Sequence, residues 1–196
     1  YVRIPVLENT GNNELEDRIN YEIKKQIDFS VSKSEQLAKE LYDTYIQAGY
    51  KPSQIEPLLV EVDYQTTFYN DRYLSFIIKK YENIPYSTVD KEQYYYNVDL
   101  QTGGHITLRT LFGPDYLTKV GTEIYKQIES KKKEDENMLF FDEINIFEVL
   151  ENEEKFYINE QGQVVISFDR YEIAPGYMGY PEFIINLPME MNLNET

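Results

Sequence analysis

The sequence predicts an α+β fold in which an antiparallel sheet carries two main helices, arranged as two α+β halves that share one core. Three observations predict it. Apolar residues recur about every fourth position from Leu15 to Tyr45, and the period falls to two after Lys51-Pro52. The same order of strand, helix and strands then returns in the second half, without any repeat at the level of residues.

Taken in order, Tyr1 to Leu7 alternates loosely and carries Pro5, the pattern of a short edge strand. Gly11, Asn12 and Asn13 break the chain and offer a helix cap. Leu15, Ile19, Ile23 and Ile27 then form one apolar stripe, which Leu37, Leu41 and Tyr45 resume after the polar stretch Ser30 to Gln36. This predicts a long amphipathic helix, bent near Ser32 and ended by Gly49. Leu58, Val60 and Val62 share a strand face, and Phe68, Tyr73, Phe76 and Ile78 straddle the turn pair Asn70-Asp71 of a hairpin. A loop through Pro85 and Asp90 leads to an aromatic strand, Gln93 to Leu100, closed by Thr102-Gly103-Gly104. Tyr95 in it should face away from Tyr94 and Tyr96.

His105 to Phe112 reads as a further strand. Pro114-Asp115 opens a second helix with Leu117, Val120, Ile124 and Ile128 on one face, running out at Lys131 to Lys133. Phe140 to Leu150 has no decisive period. Lys155 to Ile158 and Gln163 to Phe168 form a hairpin about Glu160-Gln161-Gly162. The loop Ala174 to Pro181 and a last strand, Phe183 to Leu187, follow. One antiparallel sheet running through both halves is the simplest assembly.

Composition narrows the function. The 196 residues are 41% hydrophobic, enough for one sizeable core or two small ones. Nineteen Tyr and 10 Phe accompany a formal net charge of -16, from 35 acidic and 19 basic residues. Such a field repels phosphate and anionic lipid headgroups, so neither nucleic acid nor direct lipid binding is expected, and it attracts cationic partners. The same charge also serves solubility alone. With no cysteine there is neither a disulfide framework nor a thiolate site. No run reaches the roughly 18 apolar residues of a membrane span. The chain begins at Tyr1 without Met, and an anchor or export signal is expected upstream of it.

Catalytic and metal signatures are sparse. The single histidine, His105, follows Gly103-Gly104 and reads as a bystander at a strand start. No nucleophile elbow, phosphate loop or metal spacing is seen, so neither cofactor nor metal is expected, and the chain is not expected to be an enzyme. Asp63, Asp99, Glu143, Asp169 and Glu172 lie near apolar strand residues, and a pair of them would suit glycosidase chemistry, but 35 acids make such pairs common by chance. Glu134 to Glu136 lacks the order of a calcium loop.

The segment FDRYEIAPGYMGYPEFIINLP, Phe168 to Pro188, resembles the C-terminal signature of RsiV-type anti-sigma factors: a strand entering a Tyr-Glu-Ile-Ala-Pro loop and returning as a strand. YNVDLQTGGHITLRTLF, Tyr96 to Phe112, is similar to the strand, Thr-Gly turn and Thr-Leu element of that family. YVRIPVLENTGNNELEDRINYEI resembles the companion N-terminal domain, which also occurs in some peptidoglycan deacetylases. The resemblance implies a companion domain at 1–96 and an RsiV-type domain at 97–196. It implies an extracellular part, anchored by an N-terminal span, that binds lysozyme. Binding would expose the anchor region to signal peptidase, and intramembrane cleavage would free a sigma factor. Lysozymes of animal type are basic, which suits an acidic receptor. The alternative is a non-catalytic accessory domain of a cell-wall deacetylase or hydrolase, binding glycan.

Contact residues are expected in two loops. Pro175, Gly176, Tyr177, Met178 and Tyr180 form the first, where three large side chains among prolines and glycines cannot all follow a strand face. Pro85, Tyr86, Ser87 and Thr88 form the second, where relatives carry a Gly-Gly-Ala-His-like loop that this chain lacks.

Overall fold

The computed structural model describes residues 1–86, 89–135, 137–142, 144–191 and 193. The chain forms two compact units, one made of residues 1–64 and 78–93 and the other of 65–77 and 94–196. Strands β1 (Leu59–Tyr69), β2 (Tyr73–Asn83) and β3 (Asp90–Asp99) form one sheet in that order, and each gives residues to both units.

The first unit holds helix α1, Asn13–Gln47. Asn12 caps it by accepting from the Leu15 N–H at 3.0 Å, and Glu16 turns back to accept from the Thr10 N–H at 2.6 Å. The first bond satisfies an orphan donor of the first turn, and the second ties the chain before the cap to the helix. Leu15, Ile19, Ile23 and Ile27 are buried, as are Val62 and Ile78. The helix runs unbroken through Ser32, and its polar stretch has a structural use. Ser30 and Ser34 are buried; Lys80, 3% exposed, donates to the Ser30 carbonyl at 3.3 Å and to Glu92 at 3.4 Å, while the Ser30 hydroxyl donates to Glu92 at 2.7 Å. Beyond Ser34 no residue of α1 is fully buried. Gly49, at φ 90, ends the helical path. The expected edge strand at Tyr1 to Leu7 reduces to a parallel bridge of Val2 with Val62.

The second unit contains α2 (Leu108–Phe112), α3 (Tyr116–Glu134), α4 (Ile146–Val149), and the antiparallel sheet β4 (Phe156–Ile158), β5 (Val164–Ser167), β6 (Glu182–Ile184), in that order. Phe156 faces Ile166 and Val165 faces Ile184 in its ladders. The buried stripe Val120, Ile124 and Ile128 of α3 joins Ile146, Phe156, Ile166, Phe168 and Phe183 in one apolar cluster.

An α+β fold with two main helices is therefore what forms, but in two three-stranded sheets rather than one continuous sheet. The reason is chemical. On β4 the Phe156 carbonyl accepts from the Asn97 side-chain amide at 2.8 Å, and the Ile158 N–H donates to the Ser75 hydroxyl at 3.0 Å. Side chains of β2 and β3 thus occupy the groups that a neighbouring strand would need. Ser75 donates in turn to Asn97 at 2.7 Å, and Thr67 donates to Ser75 at 3.0 Å.

The strand expected at His105 to Phe112 is also corrected. His105 makes a single bridge with Val98, after which Thr107 and Thr110 cap each other and open α2. Burial of Ile106 and Leu108 imitates a strand, whereas Leu108, Leu111 and Phe112 set the helical spacing that prevails.

Candidate functional site

The loop between β5 and β6 is closed at its base by the bond from the Phe168 N–H to the Pro181 carbonyl, 2.9 Å. Its first turn is held by ions. Lys155, largely buried, donates to both oxygens of Glu172 at 2.6 and 2.7 Å and to Asp169 at 2.9 Å, while Glu172 also accepts from the Asp169 N–H at 2.7 Å. Charged hydrogen bonds of this length are stronger than neutral ones.

Above that cluster Tyr171 adopts φ 67, in the left-handed region that large side chains rarely enter. The residue is 60% exposed, and the end of its ring lies where a side chain at Gly176 would have to be. Arg170 donates to the Gly176 carbonyl at 2.9 Å and sets its guanidinium 5.2 Å from the centre of the Tyr171 ring. Ile173 and Ala174 are buried and peg the loop to the core.

Of the contact residues expected from the sequence, Tyr177 is 66% exposed, and its hydroxyl donates to the Asn137 carbonyl at 3.3 Å. Met178 is partly buried against the apolar cluster, and Pro175 and Tyr180 are also partly buried. Gly176 is buried, so it acts by leaving room. Pro85 and Tyr86 belong to the other unit. Tyr86, at φ 64, is 79% exposed. Pro85 lines a cavity of about 340 Å³ with Leu41, Tyr42 and Leu58, and Tyr86 lines one of about 400 Å³ with Tyr50 and Gln54. Tyr45, Ile55 and Glu56 line both. Ser87 and Thr88 lie outside the described residues, as does Glu143.

The remaining candidate carboxylates are engaged. Asp63 accepts from the Tyr64 N–H at 2.7 Å and from Arg3 at 2.6 Å, and these two bonds hold it below its ordinary value. Burial pushes Asp99 up, but bonds from the Thr102 N–H, Arg72 and the Gln101 N–H outweigh burial and bring it below the ordinary value. Asp169 and Glu172 are tied to Lys155. Among the phenols, burial, then Asp169, raises Tyr95 despite its Ser167 bond, and burial with Glu182 pushes Tyr157 up to about 12. His105 lies 3.7 Å from Glu154.

Asp99 has a measurable consequence. Its folded value lies below its unfolded value of about 3.9, so its stabilisation is complete above that pH and is lost as the pH falls through the folded value. Asp99→Asn is expected to lower stability to urea at pH 7 and to flatten the loss between pH 4 and pH 2. Parallel acid profiles for both proteins would refute this.

Sequence reasoning missed Tyr171 and Lys155. A positive φ at a non-glycine residue leaves no mark in composition, and the pairing of Lys155 with Glu172 needs the β4-β5 hairpin to exist first.

Residues 109–187 match the family described as a protein of unknown function (DUF3298), and residues 1–84 match the family described as Deacetylase PdaC. The chain is 31% identical to the anti-sigma-V factor RsiV of Bacillus subtilis (strain 168), over 98% of this chain and 64% of that protein. The resemblance expected from Phe168 to Pro188 and its companion segments is thereby borne out. A crystal structure of a DUF3298 family member from Bacteroides fragilis NCTC 9343 superposes with a TM-score of 0.59, at 17% identity, over 90% of this chain and 76% of that one. That likeness supports the fold.

Proposed function

We propose that this relative of the anti-sigma factor RsiV is itself the extracellular ectodomain of a membrane-anchored anti-sigma factor, a binding module without catalysis. It binds a basic lysozyme, covers the cleft of that enzyme, and so triggers proteolytic release of a sigma factor. The similarity to RsiV along nearly the whole chain carries the reading. A net charge of -16 and the exposed Tyr177 on an ion-braced loop support it. The sigma factor and signal peptidase act, in this reading, on parts of the protein outside these 196 residues, and the anchor is an N-terminal span. Among the described residues no helix is long and apolar enough to cross a membrane.

A second reading has its own observation. The Deacetylase PdaC match over residues 1–84, with the tyrosine-lined cavities of the first unit, favours an accessory domain of a cell-wall deacetylase or hydrolase that binds glycan.

Calorimetry with a basic animal lysozyme at low and high salt separates the two. Tight binding that weakens with salt is expected, since rim charges are screened beyond about 8 Å at physiological ionic strength. No heat and no complex on gel filtration at either salt would overturn the lysozyme reading, and clearing of cell walls by the chain alone would overturn its non-catalytic part.

A further inference from the structure

We propose that Tyr171 is a partner-contacting anchor of the 169–181 loop, held in its contact pose by the Lys155–Asp169–Glu172 ion cluster and by the space left at Gly176. This rests on the lysozyme reading and adds to it one contact residue and one positioning residue.

Tyr171 combines two unfavourable properties. It keeps a large aromatic side chain 60% exposed, and it does so at φ 67, where glycine would sit without strain. Such strain persists where the surroundings over-determine it, and it gathers at binding surfaces. The surroundings here are specific. Lys155 ties down the residues on either side of the Arg170-Tyr171 pair, Asp169 and Glu172. Arg170 fixes the Gly176 carbonyl and sets its guanidinium beside the ring. Gly176 has no Cβ, and any Cβ there would meet the end of the Tyr171 ring.

A ring immobilised before binding loses little rotamer freedom on contact, which is why fixed tyrosines make good anchors. Lys155 is too buried to touch a partner and acts through Tyr171. The acidic chain supplies the complementary field for a basic partner, and the exposed ring supplies apolar contact within it.

The test uses the whole chain, lysozyme calorimetry and thermal melting on the same samples. Tyr171→Gly is expected to bind at least about tenfold more weakly while melting at the same or a higher temperature, because glycine relieves the strain. Tyr171→Phe should keep most of the affinity. Gly176→Ala should weaken binding by displacing the ring, and Lys155→Met by releasing the turn. Neither should weaken binding further when combined with Tyr171→Gly, a non-additivity that a merely structural role would not produce. Wild-type affinity in folded Tyr171→Gly would overturn the assignment of Tyr171 alone. Fully additive losses in the paired variants would overturn the positioning role of Lys155. Failure of the wild-type chain to bind would overturn the lysozyme reading itself.

Discussion

The double variant Tyr177→Ala with Tyr180→Ala is expected to lose lysozyme affinity by on the order of a hundredfold or more, since buried aromatic anchors at interface centres can each account for about 2 kcal/mol. The two residues are unequal in the free chain. Tyr177 stands out with a long bond to Asn137, whereas Tyr180 is partly buried. Most of the affinity loss should therefore follow Tyr177→Ala alone, with an almost unchanged melting temperature. Any loss of stability should follow Tyr180→Ala, because large-to-small changes at core positions cost roughly 3 to 5 kcal/mol and a half-buried ring a part of that. If both single variants bind normally while folded, the contact surface lies elsewhere, and Tyr86 with Pro85 is the next place to look.

How much of this was readable beforehand depends on the range of the determining interaction. The stripe from Leu15 to Ile27, the hairpin at Asn70 and the turn at Thr102 are set by neighbours in sequence, and they form where expected. The Ala174 to Pro181 loop was legible because glycine and proline surround its aromatic residues, and Tyr177 is exposed. Met178 was not separable from it, since thioether packing against the core depends on partners far along the chain. The segment from Ile106 to Phe112 satisfies two periods at once, and a pair of threonine caps decides between them. The division into two sheets was hidden for another reason: it turns on Ser75 and Asn97, whose side chains look, in sequence, like ordinary polar positions on a strand.

Asn97→Ala is expected to have the largest effect on stability. It removes the donor to the Phe156 carbonyl and the acceptor for Ser75, both buried, and an orphaned buried polar group costs about 1 to 3 kcal/mol. A total near 3 kcal/mol would lower the melting temperature by on the order of 10 °C for a chain of this size. Urea unfolding with an unchanged slope would show that the loss is native-state stability. A change under about 1 kcal/mol would mean that water replaces the amide and that the network is not what joins β4 to its neighbours.

Ser30, buried on α1, bears on something that the apolar stripe of that helix leaves open. Ile19, Ile23 and Ile27 are identical side chains at four-residue spacing, so sliding the helix by four residues, about 6 Å, puts isoleucine where isoleucine was over much of the contact. Burial of apolar area barely distinguishes those alignments. Ser30 distinguishes the slip that would put Gln26 in its place, because a longer amide side chain would then stand where a small buried hydroxyl donates to Glu92; the opposite slip brings Ser34 there. A helix slipped toward Gln26 would cost Glu92 that donor and crowd the buried position, while Lys80 would keep its pairs with Glu82 and Glu92 of the sheet. The repeated isoleucines make the helix dock, and the serine restricts where along its length it stops.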